Sequence, residues 1–386
     1  MAGRSMRWDA LDVLRGITIV VMLLNMTPGS WSTNYSFITH VQWEGWAIVD
    51  MVAPGFLFCI GVAMPLSYAR RSAKGDSRQA LLRHVLWRAF VLVALGFLLN
   101  FYSTPDLETV RIPSVLSRIG LCYGIAGAFV VLTARQDASG ALSFRTGLIL
   151  WTSVGILVSY WALLYFVPVP GFGAPRFDPV GNWGAYIDRA VIGTQHFFQH
   201  YRIDGEVVFD PEGILSTWPA CFNVLAGVLT GMHLARPDAK RPAATAMLAG
   251  AAMMTLAYLL EPLCPIVKNI WTSTFALFSA GFALALLGLL MPVSQQPGVT
   301  QVLQPARIFG ENPLLAYIIN WLMMPLIDAN WFGTKEAPLS LRDGGQQWLS
   351  QFLEPRAASL VFGLLCMAFI LLILLYCHRR RWILKI

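Results

Sequence analysis

Apolar runs of about twenty residues, separated by shorter polar stretches, recur along the whole chain. A helix needs about 20 mainly apolar residues to cross the hydrocarbon core of a bilayer. The pattern predicts about ten spanning helices, at residues 11–28, 47–68, 82–100, 115–134, 146–167, 213–235, 243–261, 271–292, 307–327 and 358–377. The expected class is all-α: a polytopic integral membrane protein, with one transmembrane domain over residues 1–386. Two polar stretches are long, at about 168–212 and 328–357. The first carries Pro168, Pro170, Gly171, Gly173, Pro175 and Pro179 before a group of aromatics with His196 and His200; the second carries Trp331, Asp343 and Glu354. Long loops of this kind often bind ligands or act as lids.

Composition agrees with the pattern. Of 386 residues, 56% are hydrophobic and 13% charged, against about 25% charged in soluble chains. Most of the surface is therefore expected to face lipid. The net charge of +7 is no nucleic-acid signal, because the basic residues gather at the ends of apolar runs. They are Arg4 and Arg7; Arg70, Arg71, Lys74, Arg78 and Arg83; Arg135 and Arg145; Arg236, Lys240 and Arg241; Arg307; and Arg379, Arg380, Arg381 and Lys385. With ten helices all fall on one side, which the positive-inside rule makes cytoplasmic. Both termini are then cytoplasmic, the long loops face outward, and the membrane is expected to be a bacterial inner (cytoplasmic) membrane. The start resembles a signal peptide, but Asp12 and Arg15 interrupt the run and no small-residue cleavage site follows. It is read as the first membrane helix. Six cysteines without a C-x-x-C are read as reduced packing residues.

The chemically informative stretch is His40-Val-Gln-Trp43-Glu44-Gly45-Trp46, followed by Asp50 and Pro54. Titratable side chains at a membrane edge are costly and point to function. A neutral His suits general-base work on an ammonium or hydroxyl nucleophile. Pro54 removes a backbone donor, which can leave carbonyls facing a cavity. Asp12 and Arg15 share a helical face, as a structural ion pair or as an anion site with Arg15 meeting a phosphate. Arg88 and Arg118 are further candidates of the same kind. Asn25, near the outer end of the first helix, either caps a turn or binds a carbonyl. Ten residues separate it from Arg15, about 15 Å along a helix. A cofactor with a long arm spans that distance.

Asp210 and Glu212 open the helix after the first long loop, where carboxylates suit the helix dipole or bind sugar hydroxyls and ammonium. Lys268, Asn269 and Trp271 open another; Trp271 is an interfacial anchor or a sugar-stacking ring. Gly310-Glu311-Asn312-Pro313 opens the ninth helix, where proline is tolerated. His196 and His200 stand four apart but lack an H-E-x-x-H, so no metal site is expected.

Together the segments Arg7–Gly16, His40–Gly61, Arg111–Tyr123, Asp210–Thr217, Lys268–Phe275 and Gly310–Tyr317 resemble the heparan-α-glucosaminide N-acetyltransferase family, in its bacterial NagX-type members. The resemblance implies acetyl transfer from cytosolic acetyl-CoA to an amino sugar across the membrane, without a metal. It places the catalytic histidine at His40 and the active-site asparagine at Asn25. Two departures are a longer stretch between Asn25 and His40, and Ala53 and Gly55 where aromatics usually flank the helix 2 proline. A bacterial-type chain of this length is expected to lack the animal-type N-terminal extension, so free glucosamine or a glucosamine-ended oligosaccharide is the expected acceptor.

The reading assigns catalysis to His40 and Asn25, with Asp50 orienting His40. Arg15, Arg88, Arg118 and Asn269 are expected to hold acetyl-CoA, and Glu44, Asp210, Glu212, Lys268 and Trp271 the sugar. Membrane lipid and a second copy of the chain are expected partners; nucleic acid is not. The alternative is a permease for amino sugars or N-acetylglucosamine, since proline-broken helices with polar groups also suit transport.

Overall fold

Lipid offers no water to satisfy backbone N–H and C=O groups, so a chain this apolar must satisfy them within helices. The computed structural model describes residues 2–136, 142–236, 238–333 and 338–384, with side chains from residue 9 onward. Lys385, counted among the terminal basic residues, lies outside the described residues.

The helices are α1 (Ala2–Met26), α2 (Val52–Ser72), α3 (Arg78–Ser103), α4 (Val115–Thr133), α5 (Thr146–Phe166), α6 (Trp183–Val191) and α7 (Thr217–Ala235). After them come α8 (Pro242–Leu259), α9 (Ser273–Val293), α10 (Val299–Val302), α11 (Gln304–Glu311), α12 (Pro313–Asp328), α13 (Leu341–Leu349) and α14 (Pro355–Arg379). A 3₁₀ turn, Ile48–Met51, leads directly into α2. Three short antiparallel hairpins are the only sheets among the described residues.

Among the described residues, eight helices are long and apolar enough to cross a membrane: α3, α4, α5, α7, α8, α9, α14, and α2 with its 3₁₀ lead-in. They coincide with eight of the expected segments, and the protein is a polytopic all-α membrane protein. The other two segments take a different form. α1 starts at Ala2 rather than near residue 11 and keeps Asp9, Asp12 and Arg15 among its apolar residues. The stretch expected at 307–327 is split. Pro313 lacks an N–H and disfavours helical geometry in the residue before it. Asn312 accordingly sits at φ −132°, ψ 51°, between α11 and the 16-residue α12.

The long loops also hold structure. α6 starts at Asn182, whose side chain accepts the Ala185 N–H at 2.9 Å. α13 starts at Ser340, whose hydroxyl accepts the Asp343 N–H at 3.0 Å. Pro54 lies in the first turn of α2, so it does not interrupt the interior of that helix.

The chain packs as two compact units, residues 1–41, 47–52 and 290–386, and residues 42–46 and 53–289. Within the first, α1 packs on α11, α12 and α14. The buried Thr27 hydroxyl donates to Asn320 Oδ1 at 2.7 Å and ties the end of α1 to α12. Within the second, α4 packs on α3 and α7, and α5 on α7. Trp43, Phe177, Trp183 and Leu215 surround a core of Tyr160, Leu164, Val267 and Ile270. In this unit α2 and α7 approach backbone to backbone, as small residues allow in membranes. A Cβ on Gly227 would overlap the Phe58 carbonyl.

Gly227→Ala should therefore lower stability by about 1–3 kcal/mol through overpacking. Thermal unfolding in detergent checks this, and an unchanged midpoint would contradict the close approach.

Candidate active site

Asp50 is the third residue of the 3₁₀ turn and is buried. Its Oδ2 accepts the Ala47 N–H at 2.8 Å, closing the start of that turn. Its Oδ1 lies 2.6 Å from His40 Nδ1. With Asp50 ionised the carboxylate only accepts, and Nδ1 is then the donor of this bond. The imidazole is 27% exposed while the Asp50 side chain is fully covered. The ring is thus held by a covered carboxylate and is itself partly exposed. Asn25, in the last turn of α1, donates from Nδ2 to the Ile38 carbonyl at 2.7 Å. It pins the loop two residues before His40, the turn-holding alternative for this side chain.

The expected cofactor residues each have partners within the protein. Arg15 Nη1 donates to Asp12 Oδ1 at 3.2 Å and to the Gly310 carbonyl at 3.1 Å, near the C-terminal end of α11. This is the geometry of a structural ion pair that also caps a helix end. Arg88 donates to the Tyr123 hydroxyl at 3.4 Å and stands 4.9 Å from that ring's centre. Arg118 is buried in the first turn of α4 and donates to the Gly213 carbonyl and the Ser216 hydroxyl. Its Nε and Nη1 have no hydrogen-bond partner among the described residues. The Trp271 ring, 4.8 Å away, offsets that through a cation–π contact. Arg118 is thus engaged by two hydrogen-bond acceptors and a ring, with two of its donors left over. Asn269 is buried and donates to the Gln42 carbonyl at 3.2 Å. Alongside, the Gly45 N–H donates to the Ile266 carbonyl at 2.8 Å, with Gly45 at φ +92°, a conformation that favours glycine. Asn269 thus fastens the segment that follows His40.

The expected sugar residues divide. Glu44 is exposed. Asp210 is buried, with both oxygens engaged: Oδ2 accepts from Arg111 Nε and Phe198 N, each at 2.8 Å, and Oδ1 from Arg111 Nη2 at 2.7 Å and Glu212 N at 2.8 Å. Four donors fill its acceptor directions, so Asp210 is a structural hub and not a sugar ligand. Glu212 also pairs with Arg111. Burial pushes the Glu212 carboxyl up, but Arg111, Arg118 and Lys268 outweigh it and hold it below the usual range. Burial disfavours the Arg111 cation, yet the two carboxylates raise its pKa overall. Lys268 is only 8% exposed. Trp271 is 1% exposed, so it is neither an interfacial anchor nor an open platform for a sugar ring. Its Nε1 donates to Asn223 Oδ1 at 3.0 Å, and its backbone is held at φ +53°. Of the spaced histidines, His196 Nδ1 donates to the Val110 carbonyl at 2.7 Å.

Sequence reasoning missed the Arg111 clasp, whose partners lie 99 and 101 residues away. It also missed Asp188, which accepts the Ile214 N–H at 2.8 Å. Burial, aided by the Asp210 charge, pushes the Asp188 carboxyl up to about 7 despite that bond and the opposing Arg118 and Arg189.

Comparison with known proteins places this geometry. Residues 7–180, which include Asn25, His40 and Asp50, match the family model described as heparan-alpha-glucosaminide N-acetyltransferase, catalytic. Over 353 residues the chain is 28% identical to the Homo sapiens protein named heparan-alpha-glucosaminide N-acetyltransferase, covering 81% of this chain and 52% of that protein. The Mus musculus protein of the same name is also 28% identical, with 53% of its length covered. The chain spans about half the length of the curated relatives it matches. The resemblance carried by the sequence motifs is borne out.

Two outcomes follow from the ion cluster. Arg111→Ala leaves two buried carboxylates unpaired and should cost about 3–5 kcal/mol, read by thermal unfolding. Asp188 binds its proton more tightly folded than unfolded, so its contribution to stability is lost as pH rises from the unfolded value of 3.8 to about 7. Asp188→Asn should flatten that dependence in melts taken between those limits; an unchanged slope would remove Asp188 as its source.

Proposed function

We propose, from the family likeness over residues 7–180, that this protein is a membrane-embedded acetyltransferase. It moves acetyl from cytosolic acetyl-CoA to the amine of glucosamine or a glucosamine-ended sugar at the outer face of a bacterial inner membrane. The observation that carries the reading is the His40–Asp50 pair at 2.6 Å, inside the matched region and with the imidazole partly open.

The chemistry needs a base, because an amino sugar is an ammonium ion until it loses a proton. His40 Nε2 takes that proton while Nδ1–H stays bound to Asp50, whose charge stabilises the imidazolium. The freed amine attacks the thioester carbonyl, the C–S bond breaks, His40 returns its proton to the departing thiolate, and the nitrogen sheds its second proton to solvent. The balance is one amide, one thiol and one proton from one ammonium and one thioester. Asn25 is a positioning residue here, acting through the loop it holds. Glu44, exposed four residues beyond His40, suits attraction of the sugar ammonium. With α1 and α12 counted as crossings beside the eight long spans, the basic residues share one side, which supports cytoplasmic entry of the donor.

The test is glucosamine-dependent release of free thiol from acetyl-CoA by the purified protein. His40→Ala should lower kcat by about a hundredfold or more. Asp50→Asn should lower kcat while leaving KM for acetyl-CoA unchanged. Absence of release with any amino sugar, together with sugar counterflow in proteoliposomes, would replace the transferase with the permease.

A further inference from the structure

A cavity of about 410 Å³ lies in the first unit, between the start of α1, the α10–α11 segment and the end of α14. That volume falls in the range of small-molecule sites, about 300–1,000 Å³. Apolar Val13, Leu303 and Ile308 form part of the wall, and Gln301, Gln304 and Thr300 supply neutral polar groups. The Ser294 hydroxyl, also in the wall, is buried with no hydrogen-bond partner among the described residues. Buried polar atoms are rarely left so, and an orphan in a cavity wall points to a ligand.

Two cationic or protonatable groups face this space, Arg307 and His378, with side chains each 44% exposed. Glu311 holds both, at 3.5 Å from Arg307 Nε and 2.7 Å from His378 Nδ1. Asp9 sits 3.1 Å from Arg307 Nη2. The carboxylates hold the guanidinium and the imidazole in place and leave both side chains partly exposed. Arg379, Arg380 and Arg381 follow His378 in the chain, and Asp9 is the one acid among the described wall residues. Fixed basic groups, an unsatisfied hydroxyl and an apolar wall suit a phosphate ester joined to a less polar body.

We propose that this cavity binds the phosphorylated end of an amphipathic ligand, seated on Arg307 and His378. Two sources share that chemistry: the nucleotide end of coenzyme A and the headgroup of an anionic phospholipid. The nucleotide source rests on the acyl-donor reading above; the lipid source does not. Geometry along α1 is compatible with the first. Val13 in the cavity wall and Asn25, which holds the His40 loop, are twelve residues apart on one helix, about 18 Å.

The test uses the full chain in lipid nanodiscs and reads binding, which needs no turnover. In phosphatidylcholine discs the probe is the adenosine bisphosphate fragment of coenzyme A, followed by calorimetry. In discs containing phosphatidylglycerol the readout is retention of that lipid by native mass spectrometry. Arg307→Gln should weaken the bound probe by about tenfold or more. Thr300→Trp, which fills the cavity and leaves the Arg307 ion pairs intact, should do the same. Loss of the nucleotide probe identifies the donor end, and loss of lipid alone identifies a lipid site; both uphold the cavity. No binding of either probe, or binding equal in wild type and both variants, overturns it. A wild type that binds the probe but releases no thiol would sink the transferase and not the site.

Discussion

A charge carried into an apolar interior must meet an opposite charge, a set of hydrogen bonds or an aromatic face, and this requirement fixes the loops of the protein. Asp210 collects four N–H donors and anchors the start of the stretch leading into α7. Arg342 in α13 pairs with Asp328 at 2.5 Å and donates to the Pro28 carbonyl, joining the ends of α1 and α12 to one amphipathic helix. Asp50 does the same on a smaller scale for His40 and the turn before α2. At Arg118 an indole ring adds to the charges of Glu212 and Asp188. The spanning helices supply surfaces, but these pairings decide where the connecting chain rests on them.

Much of the fold was legible because hydropathy is a local property. Eight apolar runs needed no knowledge of their neighbours to be read as spans. The exceptions were local too. Pro313 and Asn312 announce a helix start, but the apolar pattern runs through them and hides the separate α11. The site was legible in proportion to sequence distance. His40 and Asp50 are ten residues apart on either side of a short turn, and two titratable groups so placed at a membrane edge draw attention. Arg111 and Asp210 are 99 apart, and no spacing rule links residues across three helices. Trp271 shows the opposite failure. A tryptophan at a helix entrance suggests an interface, but its burial was decided by α4 and Asn223.

Close backbone contact is the second organising feature, and it serves both units. Gly310 lets α11 lie against α1, where a Cβ would overlap the Asp12 carbonyl. Arg15 uses that contact to reach the same stretch of α11. A small residue and a charged one thus cooperate: the first removes bulk, and the second satisfies a carbonyl that the approach would strand. The same arrangement explains why a charge-bearing α1 can be packed among apolar helices.

The Asp50 clamp has a further consequence for motion. One carboxylate holds an imidazole with one oxygen and a turn of backbone with the other. The ring cannot swing away without abandoning a buried negative charge, and the turn cannot unwind without loosening the ring. His40 is therefore a stationary post. A partner docking at that ring would be aligned by its own binding, because the ring is fixed.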